Sequence, residues 1–326
     1  MKTALYLTLL VTSLTQVALA QDEFDFPALP AARYRSGQQV LDAFAPISAQ
    51  TRNSIVEINV NEDTVALGAV VDASGLVLTK ASEIRPGKLT CRLANGKEVE
   101  AKLLASDEEE DVALVRVKAE GLKPILWATN TVVEGQWAIT PGLADTPQAV
   151  GIISTLTHKI QPQRALIGVQ WSLFTTQPTV EFPIPGFGAE EAGVKSGDVI
   201  VSVDGTSVTN RQQVVEILKT FREGQSVQIR FKREEKEFDT SIKLMLLKFS
   251  DDVSLRSGGF DEVIEHDTVL EPWQCGGPLV NLDGRAIGLN IARASRVATY
   301  ALPASLARQI LAKLKSKAAN LPSDDR

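Results

Sequence analysis

Residues 273 to 279 read Trp273-Gln274-Cys275-Gly276-Gly277-Pro278-Leu279, and the rest of the chain is interpreted outward from this loop. The paired glycines and the proline specify a tight turn, because glycine adopts backbone angles closed to other residues and proline fixes its own φ. The cysteine before them is an intrinsically strong nucleophile, but only as a thiolate. No residue adjacent in the sequence supplies a cation that would favour that thiolate.

The overall composition indicates a folded protein of two or three domains. The chain has 326 residues, is 44% hydrophobic and 23% charged, and carries a net charge of −6. It has no basic stripe, which argues against nucleic acid as a partner. Short charge runs are interpreted as solvated turns: Asp107–Asp111, Lys232–Lys236 and Asp324–Arg326. We expect no cofactor and no metal site.

The N-terminus has the pattern of a targeting segment. Lys2 supplies the positive charge, Ala4–Val17 is mostly apolar, and Ala18-Leu19-Ala20 fits a cleavage site before Gln21. An uncleaved anchor is the weaker alternative, since the apolar run is short for a bilayer. No later stretch approaches 18 apolar residues. We therefore expect an exported mature chain, periplasmic or secreted, without a membrane span.

Most of the chain consists of short β-runs separated by Gly, Asn and Asp turns, which favours an all-β barrel or sandwich. A helix is predicted from Ser36 to about Ala45, and a last one from Ala304 to Lys317. The predicted strands between them begin with Ile55–Val60, Val65–Val71, Leu76–Thr79, Leu89–Leu93 and Val112–Val117.

The pattern changes between residues 164 and 247 and then returns to β-runs after a Ser/Asp/Gly-rich joint, Ser250–Gly259. One domain is thus split by another. The predicted elements of the inner block are a strand Ile167–Trp171, a strand ending in the Asp204-Gly205 turn, a helix Asn210–Phe221 with Asn210 as N-cap, and a hairpin of Ser226–Lys232 with Phe238–Leu246.

The inner block resembles a PDZ domain of the HtrA type. The segments that carry this resemblance are Arg164–Val169, Ala189–Ile200 and Val203-Asp204-Gly205. It implies that backbone N–H groups of the loop before Gly168 bind a peptide carboxylate, while the peptide adds as a strand beside Ile167–Trp171. The peptide-binding residues implied are Leu166, Ile167, Gly168, Val169, Val215 and Leu218. For Leu166 and Ile167, a role as core residues is an open alternative.

The flanking blocks resemble the two halves of a trypsin-like serine protease of the same HtrA/DegP family. The resemblance implies a mainly β fold, a trypsin-like double β-barrel, with the PDZ domain inserted in the second barrel, an order that departs from the family. The segments that carry it are Gly68–Ser82, Asp107–Leu114, Gly135–Ile139, Gly151–Ser154, Asp267–Pro278, Val280–Gly288 and Tyr300–Pro303.

The resemblance also implies a degenerate catalytic triad. Asp111 keeps the acid position, but the histidine position is Ser82, with Glu83 one residue away, and the serine position is Cys275. A hydroxyl is no base near pH 7. The family's oxyanion hole would use the N–H of Cys275 and of Trp273, where the family has glycine. The chain's two histidines, His158 and His266, are interpreted as surface or structural residues.

The sequence therefore predicts an exported, catalytically inactive HtrA-like protein that binds peptides or unfolded segments through its PDZ domain. Two alternatives stay open: an endopeptidase in envelope protein quality control that uses Cys275, and a structural envelope protein with a vestigial PDZ site. An arm with Phe24, Phe26 and Tyr34 resembles elements that join HtrA trimers, so a homo-trimer is one expected assembly. A bridge between Cys91 and Cys275 is also left open.

We expect six segments along the chain. They are a signal peptide (1–20), an arm and helix (21–50), the first part of the protease domain (51–163), the PDZ domain (164–248), the last part of the protease domain (249–317) and a disordered tail (318–326).

Overall fold

Two closed six-stranded β-barrels make up most of the fold. The structure is a computed structural model, and it describes residues 37–162, 165–221, 225–246 and 253–320. The first barrel has the strand order β1-β2-β3-β6-β5-β4. Its strands are β1 (Ile55–Val60), β2 (Asp63–Asp72), β3 (Leu76–Lys80), β4 (Leu89–Arg92), β5 (Glu98–Asp107) and β6 (Val112–Val117).

The second barrel has the order β17-β20-β19-β18-β7-β8 and is interrupted in the sequence by a smaller unit. Every residue of β19 is buried, as a strand lined on both faces requires. The strands are β7 (Trp137–Thr140), β8 (Ala149–Ile160), β17 (Phe260–His266), β18 (Pro278–Val280), β19 (Ala286–Arg293) and β20 (Thr299–Pro303).

The smaller unit lies between β8 and β17, which are neighbours in the second barrel. Ile160 pairs with Phe260, and the N–H of Gly259 donates to the carbonyl of Gln161 at 3.1 Å. Because the chain leaves and returns at adjacent points of one strand pair, about a hundred residues enter without opening the barrel. The expected insertion of the inner block in the second barrel is confirmed.

The inserted unit has its own hydrophobic core and combines short sheets with two helices. Its central sheet has the order β13-β12-β14-β15, and two further strand pairs are β10-β11 and β9-β16. The elements are β9 (Ala165–Leu166), β10 (Val169–Trp171), β11 (Val180–Pro183), α3 (Gly188–Glu191), β12 (Val199–Val203), β13 (Thr206–Ser207), α4 (Arg211–Leu218), β14 (Ser226–Arg233), β15 (Lys236–Lys243) and β16 (Met245–Leu246).

Local sequence signals explain the boundaries of this unit. Asp204 and Gly205 both have positive φ, which gives the tight turn predicted there. The side chain of Asn210 accepts a hydrogen bond from the N–H of Gln213, so Asn210 is the N-cap of α4 as predicted. Asp198 is fully buried and is held by the guanidinium of Arg233, with N–O distances of 2.7 and 2.8 Å.

Helices α1 (Gln38–Ala43) and α2 (Ala45–Thr51), with the 3-10 turn Arg52–Ser54, precede the first barrel, and α5 (Ala304–Ala319) follows the second. The first predicted helix is therefore split and continues past Ala45, with Pro46 in the first turn of α2, where proline is tolerated. Helix α5 crosses back to the first barrel, where Lys313 pairs with Asp107 at 2.8 Å.

Two further details differ from the sequence-based expectation. The predicted strand Ile167–Trp171 is broken at Gly168, whose positive φ of 82° turns the chain between β9 and β10. Helix α5 reaches Ala319, two residues beyond the predicted end, because the buried Ala318 packs against the core. The expected signal peptide, the arm with Phe24, Phe26 and Tyr34, and residues 321–326 of the tail lie outside the described residues.

Candidate functional sites

The loop Trp273–Leu279, here named the nucleophile loop, is held in place by close contacts that Gly276 and Gly277 permit. Gly276 has a φ of 95°, and a Cβ on it would lie 2.3 Å from the carbonyl oxygen of Leu67. A Cβ on Gly277 would approach the Leu67 side chain at 2.9 Å. The N–H of Leu67 donates to the carbonyl of Cys275 at 2.8 Å. The loop thus keeps its close fit against the first barrel, whichever residue carries the chemistry.

The backbone N–H of Cys275 is already used inside the loop. Pro272–Gln274 form a 3-10 turn, and the Cys275 N–H donates to the carbonyl of Pro272 at 3.1 Å. The Gln274 side chain closes the turn by accepting from the N–H of Glu271 at 2.7 Å. An oxyanion hole needs a donor aimed at the developing charge, and this donor is aimed at the protein's own carbonyl.

The thiol of Cys275 is enclosed. Cys275 is fully buried, with Ala149 and Leu270 in the same small apolar cluster. Burial raises the pKa of its thiol to about 11, although Lys80 and a hydrogen bond from Ser254 act in the opposite direction. At neutral pH the group is therefore a protonated thiol and a poor nucleophile.

The structure brings Ser82 and Asp111 together at the position of a base and its orienting acid. Asp111 is 2% exposed and has a φ of 59°. One of its oxygens accepts from the Ser82 N–H at 2.7 Å and the other from the Ser82 hydroxyl at 3.0 Å. The serine donates to the carboxylate and has no group that can accept a proton near pH 7.

Sequence reasoning missed Lys80, the last residue of β3, which is fully buried. Its ammonium lies 3.0 Å from an oxygen of Asp111 and donates to the carbonyls of Arg256 at 2.9 Å and Ile291 at 2.8 Å. An ammonium has three donors, so all of them are engaged. The signal available in the sequence was a lysine at the end of a strand that begins with three apolar residues, two residues before Ser82.

Glu83, the alternative base position, is also buried. Desolvation raises the pKa of its carboxyl, partly offset by Lys80. It accepts a long hydrogen bond from the N–H of Leu255 at 3.4 Å.

The two histidines occupy structural positions. The ring of His266 is fully buried, with Nε2 2.9 Å from Oδ1 of Asn290 and Nδ1 2.6 Å from the hydroxyl of Thr268. Since the Asn290 amide donates to Thr140, its oxygen faces the ring and Nε2 carries the proton. Burial lowers the pKa of His266 to about 4. His158 lies on β8, with Nδ1 2.8 Å from the carbonyl of Leu156.

Cys91 and Cys275 are both free thiols in the described structure. Cys91 lies in the core of the first barrel, where burial raises the pKa of its thiol to about 12.

The predicted carboxylate loop lies between β9 and β10. The carbonyls of Ile167 and Gly168 accept from Ala189 at 2.9 Å and Ile184 at 2.8 Å. The N–H groups of Ile167 and Gly168 have no backbone acceptor within the described parts of the chain. Ile167 is 2% exposed and belongs to the core, while Leu166 is half-buried.

Strand β10 and helix α4 border the expected groove. One edge of β10 pairs with β11, and Val169 and Trp171 pack against the core of the unit. On α4, Leu218 is buried in that core whereas Val215 is half-buried. The guanidinium of Arg211 donates to the carbonyl of Ser172 at 3.2 Å, which joins the start of α4 to the end of β10.

Comparison with known proteins assigns both folds. A model of the trypsin-like peptidase domain matches residues 66–177, and a model of the PDZ domain matches residues 165–244. No helix within the described ranges has the length and apolar character needed to cross a bilayer.

The relatives are serine proteases. Serine protease HTRA1 of Xenopus tropicalis is 20% identical over 249 residues, covering 76% of this chain and 35% of that protein. A probable periplasmic serine endoprotease DegP-like of Ectopseudomonas mendocina is 25% identical over 134 residues, covering 40% of this chain and 28% of that protein. The putative serine protease HhoA of Synechocystis is 32% identical over 97 residues, covering 27% of this chain and 24% of that protein.

The matched part therefore spans about a third or less of the length of these relatives. A solved structure of an HtrA-type protease with a decapeptide is 13% identical, covers 63% of this chain and 98% of that chain, and has a TM-score of 0.31.

Proposed function

We propose that this chain, an HtrA-like trypsin-like protease homologue with a PDZ domain, does not cleave peptides and instead binds them. The observation that supports the loss of cleavage is the set of contacts made by Asp111, the residue at the expected acid position. Asp111 accepts from Ser82 and pairs with Lys80, and the serine in the expected position of the base cannot accept a proton near pH 7. Loss of a triad base typically costs several orders of magnitude in rate.

Two features of the nucleophile support the same conclusion independently. The thiol is buried and protonated, since its pKa is about 11. Its N–H is engaged with Pro272, so the transition state would lack one donor even if a thiolate formed. An endopeptidase that uses Cys275 would have to overcome both.

Peptide binding needs none of these groups. The N–H groups of Ile167 and Gly168 supply donors for a terminal carboxylate, and β10 has a second edge to which an extended peptide adds. Val215 on α4 offers a partly exposed apolar side chain beside that peptide. We therefore assign the retained activity to Leu166, Ile167, Gly168, Val169 and Val215, with Leu218 supporting the helix from the core.

We further propose that the protein is exported and acts as an adaptor or holdase-like binder of peptide segments. The targeting pattern of residues 1–20 and the periplasmic description of one relative support this location. We also propose a homo-trimer, and the support for it is the resemblance of the arm with Phe24, Phe26 and Tyr34 to elements that join HtrA trimers.

The test uses purified full-length protein in a casein cleavage assay and a peptide-binding titration. We expect no cleavage above background and a dissociation constant of about 1 µM for a peptide with an apolar C-terminal residue, on the order of −8 kcal/mol. Amidating that C-terminus should weaken binding by about 1.5–3 kcal/mol, the scale of a hydrogen bond to a charged group.

The matched variants are Val215→Arg, which should weaken binding at least about tenfold by placing a charge in the groove, and Gln212→Arg on the exposed face of α4, which should not. Cleavage that disappears in Cys275→Ala would contradict the inactive assignment. Equal binding of free-acid and amidated peptides would contradict the carboxylate loop.

A further inference from the structure

The outer edge of β19 continues past the point where β18 stops pairing with it at Leu289. Beyond that point the nucleophile loop pairs with β19 instead. The N–H of Gly276 donates to the carbonyl of Asn290 at 2.7 Å, and the N–H of Asn290 donates to the carbonyl of Gly277 at 2.9 Å. An extended peptide lying beside Cys275 would hydrogen-bond to the next groups along this edge, those of Ile291 and Arg293.

These backbone groups of Ile291 and Arg293 already have hydrogen-bond partners within the protein. The ammonium of Lys80 takes the carbonyl of Ile291 at 2.8 Å. Ser254 pairs with Arg293 in both directions, because its N–H donates to the Arg293 carbonyl at 3.0 Å and its hydroxyl accepts from the Arg293 N–H at 2.9 Å. The same hydroxyl lies 3.9 Å from the sulfur of Cys275, and Ser254 is 3% exposed.

The stretch Ser254–Gly259, here named the covering segment, is fastened to both barrels. Its Arg256 carbonyl accepts from Lys80 of the first barrel at 2.9 Å. The Arg256 guanidinium donates to the carbonyls of Glu108 and Glu109, which precede Asp111, and stacks over the ring of Phe260 at 4.6 Å. Hydrogen bonds from a charged guanidinium or ammonium are charge-assisted, which is the strong class of hydrogen bonds.

We propose that the covering segment is an intramolecular occupant of the strand-binding edge of β19 and closes the cleft between the barrels to external peptides. This closure is independent of the triad and goes beyond the proposed function, which requires loss of catalysis and peptide binding by the PDZ unit but no closed cleft. The segment is also the return connection from the PDZ unit to β17, so it leaves the edge only when that connection moves.

The closure is measured by the rate at which N-ethylmaleimide alkylates Cys275 in the full chain, read by peptide mapping so that Cys91 is followed separately. Both thiols are fully buried, but only Cys275 lies under the covering segment, so Cys91 reports general unfolding. Arg256→Ala removes the contacts to Glu108 and Glu109, and Ser254→Gly removes the hydroxyl over the sulfur. Arg285→Ala, an exposed arginine in the turn between β18 and β19, is the control.

We expect Cys275 to react at least about tenfold faster in Arg256→Ala and in Ser254→Gly, because each loses at least one charge-assisted or buried hydrogen bond that opposes opening. Cys91 should keep its wild-type rate in both, and Arg285→Ala should match the wild type at both thiols. The proposal is overturned if Cys275 keeps its wild-type rate in both variants, or if Cys91 accelerates in parallel with Cys275 in both.

Discussion

Ser82 stands where the resemblance implies a histidine, and a lysine from the adjoining strand makes the main contacts around its partner Asp111. Lys80 pairs with Asp111 and donates to two carbonyls, that of Arg256 in the covering segment and that of Ile291 on β19. A carboxylate left alone in this buried position would be strongly unfavourable. The buried ammonium of Lys80 therefore explains how the carboxylate of Asp111 is stabilised without an imidazole beside it.

Lys80→Met should lower the free energy of unfolding by about 3–5 kcal/mol, because Asp111 loses its cation and two buried carbonyls lose their donor. Chemical denaturation followed by tryptophan fluorescence measures the change. Lys97→Met, at an exposed turn position, should change stability by less than about 0.5 kcal/mol. Equal effects at the two positions would show that the Lys80 contacts contribute nothing specific.

His266 should make stability depend on pH. Its pKa is about 4 when folded and 6.5 in the unfolded reference, so the unfolded chain binds more protons between these values. The contribution of this residue is complete above pH 6.5 and is lost as the pH falls toward 4, by about 3 kcal/mol in total.

Urea unfolding of wild type and His266→Gln between pH 4 and 7 tests this pH dependence. The difference in unfolding free energy between the two proteins should narrow steadily as the pH falls. A constant difference between wild type and His266→Gln would contradict the assigned shift.

At the scale of elements, the break between β9 and β10 forms the loop proposed to bind a peptide carboxylate. A continuous strand would send the N–H groups of residues 167 and 168 into neighbouring strands, whereas the turn leaves them without a backbone partner in the described ranges. Gly168 permits this turn because its φ is 82° and its α-carbon lies against Phe187.

Gly168→Ala should therefore impair peptide binding. The added Cβ would lie 2.0 Å from the Cβ of Phe187, so the loop must shift, in addition to a backbone cost of about 1 kcal/mol. Gly193→Ala has a similar φ of 76° with no atom within 4 Å of the new Cβ, and isolates the backbone cost. Isothermal titration should show weaker binding for Gly168→Ala alone, and equal affinities would place the ligand elsewhere.

At the scale of the whole molecule, the PDZ unit enters the second barrel between two paired neighbours and has a separate core. Among the described residues, the buried members of that core lie between Ala165 and Leu244, and Val169, Trp171, Ala192, Ile217 and Phe221 pack against it. We expect the excised block 160–248 to unfold cooperatively on heating, since about 90 residues suffice for one core. Calorimetry on the fragment decides this, and a fragment without a transition would show that the barrels are needed for its fold.

Two deletions separate the PDZ unit from the covering segment. Replacing residues 163–252 by a flexible linker keeps Ser254–Gly259, whereas replacing 163–258 removes the carbonyl that Lys80 binds. Both should retain the barrels, because Ile160 and Phe260 stay paired. The second should be less stable by about 2 kcal/mol or more, the cost of leaving a buried charged donor without its acceptor. Equal denaturation midpoints would contradict the role given to this contact.

Much of this architecture follows from local sequence. Alternating and fully apolar runs indicate the strands, Asp204-Gly205 specifies a turn, and Asn210 caps α4, because each signal acts within a few residues. The conformation of the loop around Cys275 is likewise predictable, since the loop has the glycines that its close contact with Leu67 requires.

Contacts between distant residues were decided only by the tertiary structure. Lys80, Asp111, Arg256 and Ile291 meet although up to 211 positions separate them, and no local pattern indicates which carbonyls a buried ammonium will bind. The placement of Ser254 over Cys275 depends in the same way on how the return connection packs between two barrels. Local sequence indicated the loop of Cys275 and the residues at the triad positions that the resemblance implies, whereas only packing across the chain determined that Lys80 and Ser254 lie against them.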